Sequence, residues 1–502
     1  MPLTYRILLI ISSLMITNVL HHFLVKNNNN VFAFTGLSSK SRTKVFQTAI
    51  HMSSTVPRMA ASSETENVAR QPQNIVIIGG GIQGSAVAYY LAAHAQSWSK
   101  SIQITILEAE ELASAASGKG GGFMARSWAD GSSTQRLHEL SFDLFESLAT
   151  TLPLQSYRKL PVLSVQPAAA SKMQSLNNPT KKGKGWNAAV EQVMPRWLDG
   201  STGQIGLLGS GDDTAQVTPL EVAKKLVEKS RATVCYGTAT GIVTTRNTGD
   251  EKQQVTGVIY KPRQSGLNND NGDGSTILQQ TLQCDTVVVC AGPWSCIAED
   301  WFPDSGMKIP MQGIKSTSIV WKAPEEEEEA TVDATALFCG EDNQFGTHLE
   351  VYPRPDNTIY ICGIGGSDYI DTEQLKAGAF RDQCLAKASR VEAAVAAFTK
   401  MSSTYRKKND ALDRVQACMR PCPPDALPYM GSIPGYSGAF LNAGHNCWGI
   451  AWAPGCGRAM AELILEGRCT SLDLSPFDPA RFSPTSSKRG RKKGTMNVGE
   501  QW

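Results

Sequence analysis

Cysteine is absent from the first 234 residues of this 502-residue chain, and the twelve that follow, from Cys235 to Cys469, never form a C-x-x-C pair. Zinc ribbons and thioredoxin-type redox sites need that spacing, so both are excluded and no metal site is expected. Twelve cysteines over about 430 residues are also too few for a disulfide-dense scaffold. Several lie in apolar runs, Cys290 in TVVVCAG and Cys362 in IYICG, where a free thiol acts as a small buried hydrophobe. No N-x-S/T sequon occurs, because Asn178-Pro179-Thr180 carries proline in the middle. The net charge is only +2, without the basic surplus of a dedicated nucleic-acid binder. With 41% hydrophobic and 19% charged residues, a mostly disordered chain, collagen and coiled coil are excluded. The length suits two or three domains.

Acidic residues are missing from positions 1–63, which hold six Lys/Arg and no Asp or Glu. The remainder, with 42 basic against 46 acidic residues, therefore carries about −4. Arg6 precedes an apolar run, residues 7–20, that is broken by Ser12, Ser13, Thr17 and Asn18. It is short of the roughly 20 residues of a spanning helix and fits a signal-peptide core, with a membrane anchor as the alternative. The Ser/Thr-rich, acid-free stretch after it has transit-peptide composition. With its Phe-rich junction, Val31-Phe32-Ala33-Phe34, the whole resembles the two-part presequences of algae with secondary plastids. Residues 1–72 are thus expected to be a presequence directing the protein to a plastid. A mitochondrion or the endomembrane lumen remain alternatives, and no stable membrane span is expected in the mature protein. At the other end, residues 473–502 form a basic tail containing KRGRKK (488–493), a solvated run or a targeting patch.

The folded protein is expected to start near residue 73. NIVIIGGGIQGSAVAYYLAAHA reads as a β-branched strand, a glycine turn and a small-residue helix. Gly79, Gly81 and Gly84 fit G-x-G-x-x-G: the first allows the tight turn, the second lets a pyrophosphate approach, the third lets helix and strand pack. Ile82 and Gln83 lie between them at the helix N-terminus, which faces the phosphates. A second strand, SIQITILEAE, ends in Glu108, placed to accept both ribose hydroxyls and to disfavour NADP. Beyond it, ELASAASGKGGGFMARSW is a loop of small residues, including Ser117, Gly118, Gly121 and Gly122, suited to passing beside a bulky flat group.

That loop, following the ribose acid, resembles the D-amino-acid oxidase superfamily of flavoproteins, in which this stretch contacts the pyrophosphate and flavin of FAD. The helical spacing at 217–230, the β-rich runs ATVCYGTATGIVTTR and QQVTGVIYK, and CDTVVVCAGPWS are similar to the same family. The resemblance implies adenine contact at Ala239 and a return to the flavin at Ala291, Gly292 and Trp294. From about residue 310, KSTSIVWK, HLEVYPRPDNTIYICGIG and a helix-like AFRDQCLAKASRVEAAVAAFTK fit an antiparallel substrate domain. Polar stretches at 175–186, 263–276 and 325–329 read as surface loops. The implied architecture is α/β: a Rossmann-like FAD domain of glutathione-reductase type (73–155, 211–309 and 408–472) with an inserted antiparallel α+β substrate domain (156–210 and 310–407).

The most specific match is C-terminal: Arg420-Pro421, Pro424-Asp425, Gly444-His445, Gly449 and Pro454-Gly455-Cys456-Gly457. The version Ala-Gly-His-Asn-Cys-Trp-Gly looks closest to a fungal, plant and algal branch of FAD oxidoreductases. In glycine-oxidase-like relatives the Arg matching Arg420 binds the substrate carboxylate, and guanidinium geometry suits that. Gly444, His445, Asn446, Gly449 and Ile450 would lie beside the flavin, where His445 or backbone amides can stabilise negative charge on it. Asn446, Cys447 and Trp448 stand where some relatives carry a second Arg. Cys418 has the spacing of the cysteine that bonds covalently to flavin in monomeric sarcosine oxidases; a packed thiol is the other reading. The resemblance implies oxidation of a C–N bond in an amine, imino acid or N-substituted amino acid, with oxygen or another acceptor reoxidising the flavin. A flavin-containing assembly factor without catalysis, and a dehydrogenase acting on a hydroxyl carbon, are the alternatives.

Overall fold

The β-branched run Ile75-Val76-Ile77-Ile78 is buried on both faces, as the central strand of a parallel sheet must be. In the computed structural model it lies in strand Gln73–Ile78, between Ile102–Glu108 and Thr286–Val289, parallel to both. The structure describes residues 73–97, 100–168, 188–246, 248–263, 278–322, 332–381, 384–406 and 412–484. The expected presequence, the basic run of the tail, the polar loops at 175–186 and 325–329 and all but Arg263 of that at 263–276 lie outside these.

The first sheet has nine strands. Its parallel centre continues to Thr233–Thr245 beyond Ile102–Glu108, and to Ala439–Ala443 beyond Thr286–Val289. Antiparallel strands Gln253–Pro262 and Gln280–Gln283 extend one side, and Tyr429–Ser432 the other. Helix Ile82–Ser97 has its first seven residues buried, which the small Gly84, Ser85, Ala86 and Ala88 permit. It packs against Pro219–Ser230 and against Gly449–Glu466. At the second contact a Cβ on Gly457 would lie 2.7 Å from the Ala86 backbone carbon, so the two helices meet backbone to backbone.

The second sheet has eight strands, with Gln312–Lys322 at its centre of pairing. That strand pairs antiparallel with Thr358–Cys362, Asp368–Ile370 and Leu412–Cys422. Glu350–Pro353, Ala336–Cys339, Val162–Pro167 and Thr202–Gly209 complete it. Both sheets lie within one continuous unit, residues 69–502.

The structure corrects four expectations. Ala336–Cys339 runs parallel to Val162–Pro167, so the second sheet is not wholly antiparallel; the two are distant in sequence and need no hairpin. Within the segment expected in the first sheet from 408, Leu412–Cys422 lies in the second, because it pairs with Gln312 to Trp321. A small third sheet, Phe123–Ala125, Thr214–Gln216 and Arg158–Lys159, crosses the expected boundary at 155/156. The helix expected from residue 379 begins only at Ala388: Phe380 has φ +55° and Lys387 is extended, both incompatible with a continuous helix. All twelve cysteines are free thiols. Among the described residues no helix is long and apolar enough to cross a membrane.

Gly457→Val should force the two helices apart. Overpacking of this kind costs about 1–3 kcal/mol, which urea-denaturation midpoints of native and variant protein would measure.

Candidate functional site

One end of the site is the glycine turn after Gln73–Ile78. Gly79 has φ +106°, and a Cβ there would stand 2.5 Å from the Cys290 carbonyl oxygen, so the turn fits closely beneath the neighbouring strand. Across the turn, the Ile82 N–H donates to Ser117 Oγ at 2.9 Å, and a Cβ on Gly81 would lie 2.9 Å from that same oxygen. The first amides of an inward-facing helix and a hydroxyl therefore meet over a glycine, a seat suited to a phosphate. Glu108 accepts the Gly80 N–H at 2.6 Å and the Glu110 N–H at 2.9 Å. Burial pushes its carboxyl above the usual range, while those backbone donors pull the other way.

From this turn a cavity of about 680 Å³ runs between the two sheets. Near Glu108 it passes Ala239, with Gly237 and Thr238 alongside. Farther in it is walled by Gly121 and Gly122 on one side and Ala291, Gly292 and Trp294 on another. Trp294 is held by an Nε1–H bond to the Ala379 carbonyl, 3.0 Å. The far wall is the loop before Gly449–Glu466, with His445, Asn446, Cys447, Gly449 and Ile450 lining it. Gln83 fastens that loop to the glycine turn: its Nε2 donates to the Gly449 carbonyl at 2.6 Å and its Oε1 accepts from Asn442 at 3.1 Å.

His445 is 2% exposed and its Nε2 has no hydrogen-bond partner among the described residues. Burial lowers its pKa to about 3, so the ring is neutral. The N-terminus of the 18-residue helix Gly449–Glu466 stands at the same wall, where its dipole favours negative charge.

The second sheet closes the other end. Arg420 and Cys418, on Leu412–Cys422, both line the cavity. Burial opposes the charge on Arg420, but the surrounding Cys422, Cys447 and Cys418 and the Glu350 carboxyl outweigh it and hold the guanidinium above its ordinary value. Burial pushes the Cys418 thiol up to about 11 and the Cys422 thiol up to about 12.

All but three of the residues expected from the sequence line this cavity; Gly84, Gly118 and Gly444 do not. They are packing positions. A Cβ on Gly84 would fall 2.0 Å from the Gly79 carbonyl oxygen, one on Gly118 2.2 Å from that of Ala113, and one on Gly444 2.7 Å from the Pro423 ring. The structure also adds residues not singled out beforehand: Glu350, Tyr352, Tyr360 and Cys362, from one hairpin of the second sheet. Their signal was the alternation in Leu349-Glu350-Val351-Tyr352, where an acid sits inside a strand with apolar neighbours.

A parallel nucleotide-binding sheet, a glycine turn opening a helix, a ribose-side acid and a second sheet over one elongated cavity define a dinucleotide flavoprotein. The chain belongs to the DAO family of FAD-dependent oxidoreductases, whose sequence profile matches residues 74–463. It is 27% identical over 416 residues to an oxidoreductase of Schizosaccharomyces pombe, covering 81% of this chain and 98% of that one. It is 26% identical over 237 residues to the glycine oxidase of Pseudomonas putida, covering 46% and 53% of the two chains. The crystal structure of glycine oxidase from Geobacillus kaustophilus shares the fold, with a TM-score of 0.58 at 17% identity, covering 82% of this chain and 99% of that one. The cofactor is FAD, and the chain's residues fit it: the glycine turn and Ser117 suit the pyrophosphate, Glu108 the ribose, and the cleft beside Gly121 and Gly122 admits a flat ring.

Attachment of flavin to a cysteine requires the thiolate, and a thiol pushed up to about 11 is protonated at neutral pH. FAD is therefore expected in the supernatant after acid denaturation of the purified protein. Flavin absorbance retained on the precipitate, and lost in Cys418→Ala, would show the opposite.

Proposed function

We propose that this protein oxidises the C–N bond of a small amine, imino acid or N-substituted amino acid. The observation that carries this reading is Arg420, a charged guanidinium on the substrate-side sheet opening into the same cavity as the flavin seat. A carboxylate is its natural ligand, because the fork of N–H donors matches two oxygens. FAD, when bound, supplies the two-electron acceptor. The chain's own part is to hold the substrate carboxylate at Arg420, to turn the C–N carbon toward the cleft beside Gly121 and Gly122, and to exclude water. The glycine oxidase likeness supports a donor of this class.

The acid-free first 63 residues and the signal-like core support import into a plastid. A fluorescent protein carrying residues 1–72 should then label plastids; labelling of mitochondria or of the secretory lumen would reassign the destination.

A panel of amines, imino acids and N-methyl amino acids, mixed anaerobically with purified residues 73–502, should include at least one that bleaches the flavin. Arg420→Ala should raise KM for that substrate roughly 10–100-fold, the loss of a charged hydrogen-bonding partner, with flavin content unchanged and Lys224→Ala as surface control. Normal flavin content without bleaching by any C–N donor would instead support a non-catalytic role, and bleaching by hydroxy acids alone a hydroxyl-carbon donor.

A further inference from the structure

The hairpin formed by Glu350–Pro353 and Thr358–Cys362 puts an acid where an apolar residue would be expected. Leu349 and Val351 point into the core behind the sheet, together with Ile359 and Ile361. Glu350 and Tyr352, one residue out of phase, face the cavity, opposite Cys362 and Tyr360 in register. Glu350 is 5% exposed. A carboxyl so buried is unfavourable without donors or an opposite charge.

Two donors are present and both reach the same oxygen. Tyr352 Oη and Cys362 Sγ, the latter at 3.5 Å, donate to Glu350 Oε2. Oε1 receives no hydrogen bond from the described residues. The side chain is thus fixed by one oxygen and presents the other to the cavity. The opposite charge is also present: Glu350 and Arg420 line one cavity near enough for each charge to act on the other. Burial raises the Glu350 carboxyl, and Tyr352, His348, Cys362 and Arg420 all work against that rise. The substrate end of the cavity therefore carries a cation and an acid a short way apart, among the aromatic rings of Phe123, Phe338, Tyr352 and Tyr360.

We propose that Glu350 Oε1 accepts a hydrogen bond from the substrate ammonium group, so that Arg420 and Glu350 together select small zwitterions, molecules bearing a carboxylate and an ammonium on the same carbon. This rests on the reading of Arg420 as the carboxylate site. It goes beyond it by adding a second point of attachment, one that an uncharged amine or a simple carboxylic acid cannot satisfy. The specificity comes from the buried carboxylate: a ligand without the ammonium leaves it facing Arg420 with no donor on Oε1.

The test compares two ligands that differ only in the nitrogen, 2-aminoisobutyrate and isobutyrate. The first has no hydrogen on the carbon bearing nitrogen and cannot lose hydride, so binding is read without turnover from the shift in the flavin absorption spectrum of the holoprotein. Native protein should bind 2-aminoisobutyrate at least tenfold tighter than isobutyrate. Glu350→Gln should abolish that preference, weakening 2-aminoisobutyrate while isobutyrate binds at least as tightly as it does to native protein. If Glu350→Gln fails to retain flavin, Glu350→Asp, which withdraws the same charge by one methylene, should reduce the preference. Equal affinity of the two ligands in native protein, binding of neither, an ammonium preference that survives in Glu350→Gln, or equal weakening of both ligands would each overturn the proposal. Loss of binding for both ligands in Arg420→Ala tests the carboxylate reading separately. If isobutyrate binding survives in Arg420→Ala while the ammonium preference still depends on Glu350, the carboxylate assignment alone is wrong.

Discussion

The buried amide of Gln83 joins three parts of the chain that the rest of the site depends on. It sits in the glycine turn, donates to Gly449 and accepts from Asn442, residues 366 and 359 positions away. Because Gln83 is buried, losing either bond would leave a polar group unsatisfied at a cost of roughly 1–3 kcal/mol. The two helices that start on either side of this bridge, Ile82–Ser97 and Gly449–Glu466, then run together backbone to backbone at Ala86 and Gly457. The phosphate seat and the flavin wall are thus tied to each other directly, by hydrogen bonds and by helix packing.

The second sheet adds chemistry by dividing its two faces. One face of the Glu350–Cys362 hairpin feeds a core of Leu349, Val351, Ile359 and Ile361 around Trp321 and Phe398. The other carries Glu350, Tyr352, Tyr360 and Cys362 to the cavity. Polar groups on that face are bonded to one another, as the Glu350 bonds from Tyr352 and Cys362 show, so the face stays ordered while remaining polar. The electrostatics follow burial: it lowers the His445 imidazole and raises the Cys418 thiol, while the groups around Arg420 hold its guanidinium above the ordinary value.

Legibility followed distance along the chain. Strand, glycine turn, helix and second strand to Glu108 are consecutive, and each step depends on neighbours in sequence, so the cofactor seat could be read directly. Arg420 and residues 444–450 could be read only by resemblance, because what makes them a site is the strand pairing that carries them to residue 83. Gly118 and Gly444 were placed at the cofactor because a glycine needed for close packing looks the same in sequence as one needed for ligand approach, whereas the packing role of Gly84 could be read from its place in the glycine motif. Glu350 was overlooked for a related reason: alternation says that a strand has two faces but not which of them borders a hollow.

The amino-acid sequence of residues 73–108 by itself determined a dinucleotide seat, and FAD was read from the loop that follows by its resemblance to a flavoprotein family. The two-sheet plan came with the same resemblance, and the patterning agrees with it: β-branched runs are buried on both faces and alternating runs on one. Tertiary structure alone decided the charge states and the far end of the site. Whether His445 is a cation depends on how much water reaches it, and whether Glu350 faces core or cavity depends on the strands packed against it. Both are set by residues hundreds of positions apart, at distances that only folding makes short.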